Sequence, residues 1–411
     1  MEHHTSIMKK DNLKRRNLWG LFFIVLLGGF GNGIFVIVYQ PYLLDITGSI
    51  FFTGILITLG IIMQFLPMPL VGRLSDRYGR KKIWLFSVPL YIIGLSLLMF
   101  YSNLLLIVAG VLIFFSGGVI GNLSYQFFVS ESSHESKKGL MYGLMFFAFF
   151  GGGICGNYFV IFGLFSDVRF YFLIYIVIFI FEWIIQLFII TNPNSIKINS
   201  ELNLAELYKS KQSTWKKLLK NPQTKAILIF FTLDVLIWNI SVSIYTAGLR
   251  DQYHLTYEEL AFILIWFNIS NMIFQIPGGH LADKIGKKRS LIISEVSGLG
   301  YFLLNILAFL FWVVGFEAFL FLFLIIGQIV LGISVSTFIA SEQMILTNLN
   351  EDESKKAESY GIVAFIRGIA LLPTGILGGF LVEFVHYIIP FIITLVGIMF
   401  IIWFLFKYYQ E

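Results

Sequence analysis

The sequence predicts an all-α membrane protein: twelve transmembrane helices arranged as two pseudo-symmetric six-helix bundles. Three observations carry this expectation. The composition is too apolar for water, apolar runs of bilayer-crossing length recur along the chain, and one basic motif occurs twice, half a chain apart. Of 411 residues, 57% are hydrophobic and only 13% charged, and the mean hydropathy is +0.83. A soluble globular chain is about 45–50% apolar and about 25% charged. Too little polar surface remains to coat a water-soluble particle, which excludes a cytosolic enzyme, a disordered chain and a secreted disulfide scaffold. The lone cysteine, Cys155, cannot form an intramolecular disulfide. His3, His4, His134, His254, His280 and His386 lack ligand spacing, so neither a metal cage nor a cofactor is expected.

Charge-free runs at 17–44, 46–72, 83–130, 139–166, 260–282 and 318–341 reach the roughly 20 apolar residues that a crossing helix needs. The run at 83–130 holds two spans, with a polar turn at Tyr101-Ser102-Asn103. Interrupted runs at 170–196, 226–249, 290–316, 357–382 and 384–406 complete the set. The twelve spans are centred near residues 30, 61, 92, 116, 152, 180, 237, 268, 302, 329, 369 and 396. Each span with its loop has about 34 residues, which leaves no room for a soluble domain. The alternating pattern of a transmembrane barrel is absent.

An even number of spans puts both termini on one side. Assigning that side the segments 1–16, 72–82, 131–138, 192–225, 279–289, 346–356 and 407–411 places 26 of the 29 basic residues there. Arg169 and Arg250 fall on the opposite side and Arg367 lies within a span. Basic loops stay inside, so both termini are expected in the cytoplasm of a multi-pass cell-membrane protein. The net charge of +5 therefore marks a membrane face and not a nucleic-acid partner. Lys9, Lys10, Lys14, Arg15 and Arg16 precede the first span as in a secretory signal, yet its apolar run is too long and has no A-x-A-like site. It reads as a retained helix.

The basic loop 192–223, with six lysines, divides the chain into halves 1–191 and 224–411. Residues 214–220 could form a short interfacial helix ended by Asn221-Pro222, or the segment is an ordinary linker. After the second span the chain reads Gly72-Arg73-Leu74-Ser75-Asp76-Arg77-Tyr78-Gly79-Arg80-Lys81-Lys82. After the eighth it reads Gly279-His280-Leu281-Ala282-Asp283-Lys284-Ile285-Gly286-Lys287-Lys288-Arg289. Asp76 and Asp283 are 207 positions apart, as are Asn32 and Asn239, and Glu131 precedes Glu342 by 211. The chain reads as two copies of one six-helix unit.

The glycines Gly72 and Gly79 permit a tight turn and close helix approach. Asp76 and Asp283 can accept from backbone N–H groups at a helix start, where the dipole favours an anion. Glu131 and Glu342 are acidic candidates to face the basic cluster of Arg77, Arg80, Lys81, Lys284, Lys287 and Lys288. Alternatively, the trailing lysines only satisfy the inside-positive rule.

This G-x-x-x-D-R/K-x-G-R/K-R/K loop, present in two copies, resembles the signature of the major facilitator superfamily. The resemblance covers essentially the whole chain. It implies alternating-access transport in which such loops latch the cytoplasmic side, with helices one, four, seven and ten lining a central cavity. It also places helices seven and eleven near one another.

No G-x-x-x-x-G-K-S/T loop is present, which disfavours primary pumping. Gly151 to Gly156 fits G-x-G-x-x-G but lies inside an uncharged span with no preceding strand; Gly152 and Gly156 read as helix-packing residues. Asp234 and Arg367 are each about ten residues from a cytoplasmic end, which puts both ~15 Å deep. They form either a structural ion pair or a working couple in which Asp234 takes up a proton. Glu182 and Glu295 read as structural, and Glu295 is near enough to the surface to snorkel.

Polar stripes run along helix seven (Asp234, Trp238, Ser241, Tyr245) and helix eight (Asn268, Asn271, Gln275). Asn32, Tyr39, Asn122, Gln126, Asn239 and Gln328 add single polar positions. Amides avoid lipid, so these residues face a cavity or another helix. The implied cavity favours Asn32, Asn239 and Gln328 over Asn271. The 45 phenylalanines read mainly as lipid-facing and packing residues. Drug–proton exporters of the superfamily carry an arginine in helix four and a proline-bearing glycine element in helix five. Here helix four has no arginine, helix five has Gly156-Asn157, and the nearest echo, Leu372 to Gly379, is in helix eleven.

The expected function is secondary transport of a small organic solute, neutral, amphipathic or singly anionic, by a monomer. Proton-coupled efflux ranks ahead of uptake or facilitated diffusion. A channel or receptor on the same fold is the rival of another class. The loops opposite the termini are too short for an enzyme site.

Overall fold

The structure is a computed structural model that describes residues 2–100, 103–133, 138–165, 167–191, 220–348 and 356–409. Most of the mid-chain linker and the side chains of Gly72, Asp76, Arg77, Gln126 and Glu131 lie outside the described residues. Among those described there is no strand.

The helices in the first half are α1 (Glu2–Thr47), α2 (Ile50–Phe65), α3 (Met68–Tyr78), α4 (Arg80–Leu98), α5 (Leu104–Ser132), α6 (Lys138–Ile161) and α7 (Arg169–Phe188). Those in the second are α8 (Pro222–Val242), α9 (Tyr245–Tyr253), α10 (Tyr257–Ile285), α11 (Lys287–Val313), α12 (Glu317–Asn348), α13 (Lys356–Leu371), α14 (Thr374–Phe384) and α15 (Ile389–Tyr408). Eleven stretches are long and apolar enough to cross a membrane. The shorter apolar helix α2, continued by α3, makes the twelfth span. Three spans are thus broken helices: α2/α3, α8/α9 and α13/α14. Two breaks coincide with Pro67 and Pro373, which lack an N–H and clash with the preceding turn.

Local signals set the helix starts. Asn103 Oδ1 accepts from Leu105 N at 3.0 Å and caps α5. Asn221 Oδ1 accepts from Gln223 N at 2.9 Å with Pro222 in the first turn, so Asn221-Pro222 opens span seven, a role beyond ending the linker. A capping box between Thr256 and Glu259 starts α10. Gly79 and Gly286 hold φ of 93° and 90° at the equivalent junctions α3/α4 and α10/α11. L side chains rarely adopt that backbone, so the repeated glycine follows from the repeated turn.

The chain packs as two compact units, 1–42 with 59–200, and 43–58 with 201–411. In the first, α1 crosses α6 backbone to backbone. A Cβ at Gly152 or Gly156 would strike the carbonyls of Leu26 and Phe30, so these glycines serve packing. A core of Leu21, Ile24, Trp84, Phe128, Val129, Met145 and Ile190 lies toward the side of the basic loops, the basic side. In the second unit the matching core includes Phe230, Phe231, Leu291, Ile345, Val363, Ile401 and Leu405. Phe162, Phe188, Phe400 and Trp403 are among the large side chains left exposed, as expected where lipid is the solvent.

Segment 43–58 is the departure from a division at the linker: it comprises the end of α1 and the first part of α2, yet packs with the second unit. Arg250 meets Asp45 in two hydrogen bonds of 2.9 and 3.0 Å, and Tyr257 donates to Asp45 at 2.8 Å. Glu383 accepts from Ser49 Oγ at 2.6 Å and Phe51 N at 2.8 Å, meeting the positive start of α2. Gly54 and Gly375 let α2 and α14 touch at backbone distance, and Thr58 Oγ1 accepts from Ile376 N at 3.2 Å.

Candidate functional site

Buried charge is concentrated in the second unit. Asp234 on α8 is 6% exposed, Glu295 on α11 is 0% and Glu342 on α12 is 8%. Arg367 on α13 is half-buried, with its guanidinium 5.5 Å from the Phe231 ring. Each is held by a helix: Asp234 lies 12 residues into α8, about 18 Å along its axis, while Glu342 lies six residues from the end of α12, about 9 Å.

The pairing among them differs from a simple Asp234–Arg367 couple. Arg367 Nη1 forms a hydrogen-bonded ion pair with Glu342 Oε1. Asp234 feels the Arg367 charge, but its carboxyl lies within hydrogen-bonding reach of Glu295. Trp238, one turn beyond Asp234, donates from Nε1 to Glu295 Oε2 at 3.1 Å. Its ring fills the space over Gly298, where a Cβ would collide with it. Three carboxyl groups therefore share one cation in a medium where each bare charge costs several kcal/mol. Ionising all three at once would leave two buried negative charges without a cation. Glu295 is sealed in the helix packing and does not snorkel to the surface, because α11 turns this face toward α8 and α12.

Ser241 and Tyr245 continue the span-seven stripe. Ser241 Oγ is 2.6 Å from Thr394 Oγ1 on α15. Tyr245 donates to Asn305 Oδ1 and receives Gln328 Nε2, each at 3.0 Å. Gln328, 1% exposed, thus ties span ten to span seven. Asn239 bonds its own helix at Val235 O, 2.8 Å away. Asn32, Asn239, Trp238 and Asn268 are half-buried. Asn271 is fully buried, and neither of its amide atoms has a hydrogen-bond partner among the described residues.

The first unit is organised differently at the same level. Glu182 on α7 is 6% exposed, its Oε1 has no donor among the described residues, and it points at Gly28. Tyr91 and Tyr175 flank it, each stacked on Phe179 at 4.2 and 4.4 Å. Phe35 stacks on Tyr39 and Phe114 at 4.6 and 4.7 Å. Tyr39, 5% exposed, lies within this aromatic packing.

The repeated loop motif has a paired role. Lys81 Nζ donates to Leu187 O at 2.8 Å, in the last turn of α7. Lys288 Nζ, its counterpart 207 residues on, donates to Phe406 O at 3.3 Å, in the last turn of α15. Each lysine binds the negative end of the last helix of its own repeat. These lysines therefore do more than obey a topology rule. Asp283 and Lys284 are exposed, and α11 begins after Gly286, its N-cap position, with no side-chain cap. Gly279 has open space around it, so only the second glycine of this copy is structurally required. Glu342 bonds Arg367 inside the bundle.

Sequence reasoning missed the Asp45–Arg250–Tyr257 cluster and the Glu383 contacts. Arg250 was legible as one of three basic residues off the basic side; Asp45 carried no comparable signal.

Comparison with known proteins bears on what such a bundle is. The family model described as Major Facilitator Superfamily matches residues 21–238 and 227–411. The Tetracycline resistance protein, class E, of Escherichia coli is 24% identical over 290 residues, 69% of this chain and 71% of that protein. The Multidrug resistance protein MdtG of Proteus mirabilis (strain HI4320) is 25% identical over 339 residues, 77% of this chain and 79% of that protein. A crystal structure of a point mutant of the nucleoside transporter NupG superposes with a TM-score of 0.77 at 15% identity. It covers 96% of this chain and 100% of that one, a likeness of fold alone. Matched over nearly its whole length and folded as such transporters fold, the chain belongs to the Major Facilitator Superfamily of membrane transporters.

Proposed function

We propose that this transporter exports a small amphipathic organic molecule in exchange for inward-moving protons. The observation that carries the reading is the charge imbalance inside the second unit: Asp234, Glu295 and Glu342 share the single cation Arg367. A cluster with two more acids than cations holds protons that a change of surroundings can release, and a proton-driven carrier needs such a group. Two relatives named for resistance to tetracycline and to multiple drugs support outward transport.

Halves 1–191 and 224–411, joined by the linker 192–223, rock around a midplane site. Both termini lie in the cytoplasm of a cell-membrane protein that works as a monomer. Asn32, Asn239, Asn268 and Trp238 offer amide and aromatic surface without charge, which suits a neutral, amphipathic or singly anionic solute better than a polyvalent one. Gln126 joins them as a candidate contact. Asp76, Arg77, Glu131 and the rest of the paired loops act as the cytoplasmic gate.

The test is solute accumulation in inside-out vesicles with an acidic interior, using tetracycline, ethidium and uridine as probes. Gradient-dependent uptake of tetracycline or ethidium, together with substrate counterflow, is the expected result. Uptake of uridine alone, or flux without counterflow, would overturn the proposal.

A further inference from the structure

Asp234 and Glu295 bring two carboxyl groups within hydrogen-bonding reach of one another inside the second unit. Both are more than nine-tenths buried. An ionised carboxylate only accepts, so two of them can form a hydrogen bond only when one carries a proton. The remaining contacts sharpen the point. Glu295 Oε2 already accepts from Trp238 Nε1, while Oε1 has no N–H or O–H donor among the described residues. A proton on the pair supplies the missing donor.

No cation is at hand to replace that proton. Arg367 on α13 acts on Asp234 through space, but its hydrogen-bonded partner is Glu342 on α12. Among the described residues, the other charged side chains on the surrounding helices lie toward their ends, including Lys225 on α8, Arg250 and Asp251 on α9, and Lys407 on α15. The titratable Tyr301 lies six residues beyond Glu295 on α11 and is no cation. His280, Asp283 and Lys284 end α10, and Lys287, Lys288 and Arg289 begin α11. Arg289 is six residues from Glu295, about 9 Å along the axis.

We propose that Asp234 and Glu295 share one proton and that this pair is the proton-carrying site of the transporter. The inference rests on the proton-linked reading above and adds Glu295, which no motif marks, as an equal member of the site. When the pair releases its proton, one O–H bond breaks. Its electrons stay on the carboxylate, the proton passes to water, and the charge of the pair goes from −1 to −2. Arg367, within electrostatic range of Asp234, is then drawn from Glu342 toward Asp234. Proton loss is thereby converted into a change of partner between spans ten and seven, and Trp238 holds Glu295 in register.

The test needs no transported solute. Infrared difference spectra of the purified full chain in lipid report the carbonyl stretch of a protonated carboxylic acid. They are recorded in a Glu182→Gln background, which removes the buried acid of the first unit, while Glu342 is ionised in its pair with Arg367. A shared proton predicts one such band near neutral pH. That band is lost in Glu295→Gln, where the lone Asp234 ionises within reach of the Arg367 charge, and it shifts in frequency in Asp234→Asn, where the buried Glu295 keeps its proton but loses its carboxylate partner. A band left unchanged in either single variant, or its absence from the parent, overturns the shared proton. Because Asn and Gln keep shape and hydrogen bonding, elution as a single monodisperse species accompanies each spectrum; as a second measurement, proton release on alkalinisation should fall by one per chain in Glu295→Gln. A band that behaves as expected in a protein that moves no drug against a pH gradient counts against the export reading and leaves the pair standing.

Discussion

The two units repeat a scaffold but not a chemistry. At the basic side they match: Gly79 and Gly286 make the same turn, and Lys81 and Lys288 grip the last helix of each repeat. Deeper in, the first unit holds stacked aromatic rings around Glu182, the one buried acid among its described residues. The second holds three acids, one arginine and a tryptophan donor. Duplicated sequence thus conserves what positions the helices, while charge, costly in lipid, is kept in one unit where it has partners.

The largest effect expected from breaking this contrast is at Arg367. Arg367→Met strands Glu342 and removes the only cation of the cluster, which for buried pairs costs about 3–5 kcal/mol. Thermal unfolding in detergent should show a large loss, with the double variant Arg367→Met/Glu342→Gln recovering much of it. Glu182→Gln in the first unit, by contrast, removes an acid with no cation partner among the described residues and should leave stability unchanged or raised. A comparable loss at both sites would erase the asymmetry.

Next comes packing. Gly152→Val forces a branched side chain against the Leu26 carbonyl, and overpacking costs typically about 1–3 kcal/mol. Reduced yield of monodisperse protein and a lower melting temperature would register it. The Asp45–Arg250 pair is partly exposed, so Arg250→Ala should cost no more than about 1 kcal/mol globally. Its clearer mark should be faster hydrogen exchange confined to 43–58.

The symmetric loops should give smaller, matched effects. Lys81→Ala and Lys288→Ala each remove a cation from a helix C-terminus, worth about 0.3–1 kcal/mol. Equal shifts in melting temperature would support the paired role, and a shift in only one would limit it to that repeat. Smallest of all is Asp167→Asn. The Arg169 hydrogen bonds hold the Asp167 carboxyl below the usual carboxylate range, so its contribution is present near neutral pH and is lost on acidification through that lowered value. Both side chains are about a third exposed, and screening leaves the pair worth at most a few tenths of a kcal/mol.

Much of this architecture is legible in the sequence because lipid imposes one-dimensional rules. Length and charge mark the spans, and a repeated turn glycine marks the duplication. What was not legible depends on which face of a helix meets which neighbour. Glu295, eight residues into α11, reads from sequence as near the surface; only the packing of α11 against α8 and α12 shows it sealed beside Asp234. Gln328 reads as a cavity residue and is instead bonded to Tyr245. The attachment of 43–58 to the second unit reverses what chain order suggests, because helix breaks and tertiary contacts, not covalent neighbours, decide where a segment packs.

The most direct test of the account compares two transport modes in proteoliposomes for wild type, Glu295→Gln and Glu182→Gln, with tetracycline as the probe. Counterflow exchange needs no proton movement, whereas accumulation against a gradient does. The account predicts that Glu295→Gln keeps counterflow and loses pH-driven accumulation, while Glu182→Gln keeps both. Retained pH-driven accumulation in Glu295→Gln, with its loss in Glu182→Gln, would place the proton in the first unit and contradict it.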